Sequence, residues 1–422
     1  MDKLSDELLA IVFGGVPWKE RLRCRAVCRR WYGVLQGPLS WGDMPRDAQL
    51  MILDAACRNG DLPAVQRLIA QFGACDRTDY NRALDYALKE GHTHIAAWLV
   101  ATFGLVVNLR AGYGSRISHA CFKGHLAMLQ WIAETYGLPM FAFEGALCWA
   151  CRGGHLEIAM WIIDRYGTAA AVRGPVRVFF CDRPDGETIG AAALSAACSG
   201  GHLLVAKWLT ETFGLGPDDA RAKNNRALHG ACTGGSLACV EWLVATFGLS
   251  VDDVRSVTDT CCMANAAIHS AIINGHVAVA AWLTTTFGLG ADDIRPGTLT
   301  EVCTRGHLDV AKWLVATFGP GVCKGAAALH AACASGHLAV AAWLVPACGL
   351  STISKKACKA ILRHIANKGL VEMAAWFIPT FGLTAGDVRN SKAWVEVLWK
   401  GHDPFIAWLR SEYDTDGWPT YM

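Results

Sequence analysis

Hydrophobic positions along the chain recur in blocks of roughly thirty residues, and each block holds two short runs with a helical period. In the block from Asn225 to Leu249 the first run is Ala227-Leu228-His229-Gly230-Ala231-Cys232. Its residues are mostly small, which suits a helix that must approach its neighbours closely. Gly234 and Gly235 stop it, since glycine enters the left-handed conformation at a helix end without steric cost. A second run follows. In the sister block Val205, Ala206, Trp208 and Leu209 fall on one broad face at about 100° per residue, while Lys207 points away. Phe213 closes that face and Gly214 ends the helix. The pattern predicts two antiparallel helices per block, whose apolar faces are buried only when blocks stack.

The register is kept along the chain by fixed columns. Glycines stand at Gly60, Gly91, Gly124, Gly154, Gly201, Gly235, Gly275, Gly306, Gly336, Gly369 and Gly401, usually 30 to 34 residues apart. A histidine follows at His92, His125, His155, His202, His276, His307, His337 and His402. Seven residues after the glycine stands Trp98, Trp131, Trp161, Trp208, Trp242, Trp282, Trp313, Trp343, Trp376 or Trp408, with Arg67 there in the first block. Five residues further, many blocks place an aromatic before glycine, as in Phe103-Gly104 and Phe381-Gly382. A tryptophan can bury 150–250 Å², roughly 4–6 kcal/mol at about 25 cal/mol per Å². The tryptophan column is therefore expected to be the main mortar between blocks.

Two intervals are long. Between Gly154 and Gly201 an insertion spans about 174–190, where Val176, Val178, Phe179 and Phe180 precede Arg183-Pro184-Asp185-Gly186. Asp-Gly between strand-like runs is a turn signal, so a small β-hairpin is expected there. The other extension spans 256–265. Such insertions either line a binding face or are tolerated surface loops.

Composition narrows the class. The 422 residues are 53% apolar with a formal net charge of +2, which gives no electrostatic reason to expect nucleic acid. The longest apolar stretch, Leu338 to Leu350, is interrupted by Pro346 and Gly349. A spanning helix needs roughly 20 apolar residues, so no membrane segment is expected. The polar, acidic start Met1-Asp2-Lys3-Leu4-Ser5-Asp6-Glu7 is unlike a secretory signal, and the expected location is cytoplasmic, with the nucleus as alternative. Of 18 cysteines, Cys57, Cys121, Cys151, Cys198, Cys232, Cys303 and Cys333 each lie three residues before a column glycine. One helical position used repeatedly reads as a packing column of reduced thiols. Cys148 and Cys151 form a CxxC, but no second CxxC completes four zinc ligands. No metal and no cofactor are expected.

The block Ala-Leu-His-x-Ala-Cys-x-x-Gly-His-Leu-x-Val-Ala-x-Trp-Leu resembles the helix pair of the ankyrin repeat. The resemblance covers about Asp47 to Asp414, with His229, His269 and His330 keeping the histidine of the Leu-His pair. The Thr-Pro that opens the usual ankyrin helix is absent, as is the Gly-Ala-Asp that leads into its β-hairpin. Instead several blocks carry Phe-Gly-Leu followed by Asp218-Asp219-Arg221, Asp252-Asp253-Arg255 or Asp292-Asp293-Arg295. Acidic residues at the start of a helical turn are favoured by the helix dipole, so extra helical turns are expected in place of hairpin fingers. This tryptophan-rich form is similar to the ankyrin-type families expanded in large DNA viruses of amoebae.

Before the repeats the chain reads Leu4-Ser5-Asp6-Glu7-Leu8-Leu9-Ala10-Ile11-Val12-Phe13, then Val16-Pro17, then Leu22 to Trp31 with Val27-Cys28-x-x-Trp31. Ser5 before two acids is a helix-start signal, and Pro17 is well placed to open the next helix. The segment resembles the F-box, with Trp41 echoing a late tryptophan. Ser5 for the usual proline, Gly15 and Arg21 depart from its pattern. The resemblance implies docking to the linker subunit of cullin–RING (SCF-type) ubiquitin ligases through Leu4, Leu8, Val12, Phe13, Pro17, Leu22, Val27, Cys28 and Trp31. The alternative is that these helices only cap the exposed end of the stack.

No GxxxxGK[ST], GxSxG or HExxH motif occurs, and the recurring histidines are expected to bond backbone at the glycine turns. The expected architecture is an all-α solenoid of about eleven ankyrin-like helix-turn-helix repeats over residues 46–414. A small F-box-like helical segment precedes it at 1–45 and a tail follows at 415–422. The expected role is a non-enzymatic protein–protein adaptor, with no nucleic-acid or membrane partner and a protein target the sequence does not name. A plain binding scaffold without a ligase role is the alternative.

Overall fold

Small apolar residues at helical spacing produce helices throughout. The computed structural model describes residues 46–72, 77–107, 116–137, 140–166, 188–256, 267–319, 325–350, 353–391 and 393–413. All described elements are helical. The chain divides into two compact units, one up to about residue 168 and one from about 183 onward. Among the described residues the first holds four helix pairs: α1 (Arg46–Asn59) with α2 (Leu62–Phe72), α3 (Arg77–Lys89) with α4 (Thr93–Phe103), α5 (Arg116–Lys123) with α6 (Leu126–Tyr136), and α7 (Met140–Gly153) with α8 (Leu156–Tyr166).

The second unit continues the pattern. It contains α9 (Ile189–Gly200), α10 (Leu203–Phe213), α11 (Pro217–Gly234), α12 (Leu237–Phe247), α13 (Val251–Arg255), α14 (Ala267–Ile273), α15 (Val277–Phe287) and a 3-10 turn at Ala291–Asp293. It then runs through α16 (Thr298–Arg305), α17 (Leu308–Phe318), α18 (Gly325–Ser335), α19 (Leu338–Ala347), α20 (Lys355–Asn367), α21 (Val371–Thr380), α22 (Ala385–Asn390), α23 (Ala393–Lys400) and α24 (Asp403–Glu412). Within each unit the first helices of successive pairs pack in one row, α1, α3, α5 and α7 in the first and α9, α11, α14, α16, α18, α20 and α23 in the second. The second helices form a parallel outer row. These are the stacked helix pairs expected of an α-solenoid.

The extra turns expected after Phe-Gly-Leu are present as α13, the 3-10 turn and α22. The insertion expected as a hairpin at 174–190 lies outside the described residues except at its end, where Thr188 caps α9 by accepting from the Ala191 amide. Nearly all of 256–265 also lies outside them, as do 1–45 and 415–422.

One expectation is corrected. The tryptophans are not the fully buried layer: Trp98, Trp131, Trp161, Trp208, Trp242, Trp282, Trp313, Trp343, Trp376 and Trp408 stand at its edge, half-buried. The reason lies in helical geometry. Val205, Ala206 and Leu209 span a narrow arc and are at most 2% exposed. Trp208 falls about 110° from the centre of that arc at 100° per residue, on its rim. From there it meets the aromatic five residues on, edge to face: Trp208 with Phe213 at 6.0 Å, Trp242 with Phe247 at 5.6 Å, Trp313 with Phe318 at 5.6 Å. Each pair closes the end of its own outer helix. The fully buried layer is made instead of alanine, leucine, valine and the cysteine column.

Candidate protein-docking surface

Neighbouring repeats are joined by the glycine–histidine column. Each histidine occupies the N-cap position of its outer helix, yet its side chain makes no cap bond there. The ring reaches back one repeat. Nε2 of His92 meets the Arg58 carbonyl at 2.8 Å, and the same contact joins His155 to Phe122, His276 to Thr233, His337 to Thr304 and His402 to Asn367. A carbonyl accepts, so Nε2 carries the proton. The ring also lies on the column glycine of that repeat: a Cβ on Gly60 would come within 2.6 Å of His92 Cε1. The histidine thus does bond backbone, but the backbone of the preceding repeat rather than its own turn.

A second ladder is most regular in the second unit; among the described residues of the first, Arg46 meets Asp79 at 2.8 Å and Arg82 meets Asp54 at 3.2 Å. Asp219, Asp253, Asp293 and Asp387 each accept from the amide three residues earlier, closing the short turns. Arg221 then grips Asp253 of the next repeat at 3.0 Å, and Arg255 grips Asp293 at 2.7 Å. Burial pushes the Asp253 carboxyl up, but the bonds from Arg221 and Ser250 outweigh it and hold the group below the usual carboxylate range. Just before the next helix turn, α11 breaks. Lys223, Asn224 and Asn225 adopt φ of 48°, 53° and 61°, a conformation asparagine tolerates better than most residues. Asn225 is buried and donates to the Asp253 carbonyl and to Ser256 Oγ.

The cysteine column is inert. Burial pushes the thiols of Cys57 and Cys333 up to about 12, and those of Cys121 and Cys232 higher still. Cys239, on the outer helix α12 and outside that column, is drawn down to about 7, first by a hydrogen bond with the column thiol Cys198. Among the described residues no group of three or more His, Cys, Asp or Glu is arranged to hold a metal ion, and no helix is long and apolar enough to cross a membrane.

One surface open to a partner is the exposed face of the inner row. The positions two and five residues before each column glycine lie on one helix face. In the first unit they carry Ala55, Arg58, Tyr86, Lys89, His119, Phe122, Trp149 and Arg152. Arg58 lies 4.0 Å from the Tyr86 ring centroid, Phe122 meets Trp149 edge to face at 5.9 Å, and Arg152 lies 5.6 Å from the Trp149 ring. Phe122 is 41% exposed. Burial, then Lys123 and Lys89, hold His119 below its ordinary value. In the second unit the same positions hold mostly small or polar residues, among them Ser199, Gly230, Thr233, Ser270 and Thr304, with the exposed Trp399, its ring 5.7 Å from Lys400 Nζ, as an exception. The hydroxyls of Ser199, Thr233 and Thr304 bond carbonyls of their own helices at 2.8 Å. Sequence reading left target-binding residues unassigned, because this stripe emerges only when those two columns are aligned on the glycines. The nine residues expected to dock the ligase linker, Leu4 to Trp31, lie outside the described residues.

Comparison with known proteins agrees with the repeat. Residues 1–43 match the F-box domain, 53–100 match ankyrin repeats (many copies), and 194–295 match ankyrin repeats (3 copies). Among solved structures the chain is similar to the human ASB11 ankyrin repeat domain, at 21% identity and a TM-score of 0.36, over 57% of this chain and 99% of that one. No curated protein matches. The chain combines an F-box segment with ankyrin repeats, and that combination supports a protein-interaction adaptor. The matches carry no link to the viral families.

Proposed function

We propose that the chain is the substrate receptor of a cullin–RING (SCF-type) ubiquitin ligase. The N-terminal segment engages the linker subunit, and the repeats hold a target protein so that ubiquitin is transferred to it. The observation that carries this reading is the F-box match over residues 1–43, placed directly before a repeat array. The array itself supports a holding role, because cations and aromatics share one face of the first unit's inner helices. The domain division follows: a docking segment over 1–45, repeats over 46–414 and a short tail. The expected place of work is the cytoplasm, the host's if the chain is viral.

Pull-down of the linker subunit tests it. The wild-type chain should capture the linker, and Val27→Asp with Trp31→Ala should abolish capture while far-ultraviolet circular dichroism keeps the repeat signal. Undiminished capture by the double variant would reject the assigned docking residues. No capture by the wild type would leave a binding scaffold whose N-terminal helices only cap the stack.

A further inference from the structure

The cation-aromatic stripe on the first unit's inner row gives the target a chemistry. We infer that it binds an extended acidic segment of the target, with carboxylates at every third residue and one apolar residue among them. The inference rests on the reading that the repeats hold a protein.

The spacing carries it. Adjacent packed helices lie about 8–10 Å apart. Arg58 on α1, Lys89 on α3, Phe122 on α5 and Arg152 on α7 occupy one equivalent position on four neighbouring inner helices. A chain in polyproline II conformation rises about 3.1 Å per residue with three residues per turn, so every third side chain returns to one face after about 9 Å. That period matches the helix spacing. The ligand order then reads acid, acid, apolar, acid at three-residue intervals, the apolar side chain lying on the Phe122–Trp149 pair. The whole contact covers roughly ten residues.

The cations are held ready for carboxylates. Arg58 and Arg152 are exposed yet fixed against the rings of Tyr86 and Trp149, and a guanidinium held on an aromatic face keeps its edge N–H groups for a bidentate acceptor. Lys89 lies 5.9 Å from the Tyr86 ring. Aromatics interleaved with cations also suit single-stranded nucleic acid. Asp85 on the inner helix α3 and Glu90 just past its end oppose that, with Glu90 bridged to Lys123 at 3.3 Å. Their charge interrupts the basic stripe and repels a ligand with a phosphate at every residue. A peptide with separated carboxylates avoids them.

The test is a random twelve-residue peptide display selection on the full chain, followed by fluorescence anisotropy on a synthesised member. The expected pool is enriched in Asp and Glu at three-residue intervals. Its affinity should fall at least ten-fold in the Arg58→Ala, Arg152→Ala double variant and fall steadily with added salt. The Arg58→Lys, Arg152→Lys pair, which keeps the charges, should retain most of the binding. Helicity by circular dichroism should be unchanged in both, because neither side chain is in the core. A pool without acidic enrichment, or binding indifferent to the alanine pair, overturns the inference. Tighter capture of a twelve-nucleotide oligothymidylate than of the peptides overturns it in favour of nucleic acid. The alanine pair leaves linker capture intact, and Val27→Asp with Trp31→Ala leaves peptide binding intact. A chain that binds the acidic pool without the linker therefore keeps this inference and loses the ligase role.

Discussion

The two units are built from the same helix pair but differ in what their inner helices do with polar groups. In the first, arginine and lysine are laid over aromatic rings on the open face. In the second, the arginines after the short turns reach the aspartates of the next repeat, and buried histidines sit between inner helices. The glycine–histidine joint is common to both. A repeat thus has a fixed joint and a variable surface. Both units use ion pairs for cohesion, Arg46–Asp79 and Arg82–Asp54 in the first and Arg221–Asp253 and Arg255–Asp293 in the second; the first adds a cation-aromatic stripe open for recognition.

The common joint should break with the largest effect and break equally in both units. Gly60 and Gly235 have φ of 75° and 73°, and a Cβ on either meets the histidine of the next repeat. Gly104 and Gly248 have φ of 59° and 61° with nothing within 4 Å of a Cβ. Gly104→Ala and Gly248→Ala should cost about 1 kcal/mol for the left-handed conformation alone. Gly60→Ala and Gly235→Ala should cost roughly 3 kcal/mol, because overpacking is added. Hydrogen exchange resolved by region reads each loss in its own unit, which matters because long repeat arrays need not unfold in one step. Equal costs at junction and control glycines would remove the histidine from the joint.

Acid should separate the units. Burial lowers His229 to about 4, and His269 is shifted the same way, first by burial. A histidine depressed in the folded state contributes fully above its unfolded value near 6.5, and the contribution is lost as pH falls from there toward the folded value. For His229 the full loss is on the order of 3 kcal/mol. Asp253 and Asp293 are depressed below the ordinary carboxylate value, so their contribution persists until lower pH and does not blur the window. In the first unit His119 and His125 shift in the same direction but are only part-buried. From pH 7 to pH 5, exchange protection corrected for intrinsic rates should fall more over 226–234 than over 77–89. His229→Gln, which keeps a donor for the Ser256 carbonyl, should flatten that fall.

Much of this was legible in the sequence. Helix pairs, their ends and the cysteine column follow from period, glycine and side-chain size, which act locally. The extra turns after Phe-Gly-Leu were readable because the aspartates cap within three residues. What escaped was whatever joins residues about one repeat apart. His92 reaches Arg58 across 34 positions and Arg221 reaches Asp253 across 32, and no local pattern orients those side chains. The tryptophans were misjudged for the opposite reason. Their periodicity is strong, but a ring at the rim of a helix face keeps the register of the core without being inside it.

The smallest effect isolates the Asp–Arg ladder. Asp253 does two things with one carboxylate: it accepts from the Ser250 amide at 2.8 Å, closing α13, and it receives the Arg221 guanidinium from the preceding repeat. Asp253→Asn keeps the size and an acceptor for the cap but removes the charge. Half-exposed ion pairs contribute little, so the loss should be about 1 kcal/mol, near that of a single cap. Arg221→Gln should produce a similar loss, and the double variant should cost less than the sum, because each single change already removes the pair. Strict additivity would mean that the aspartate acts only as a cap. In that event the second unit would be held by the same glycine–histidine joint as the first, and the contrast between cohesive and recognising faces would rest on the buried histidines alone.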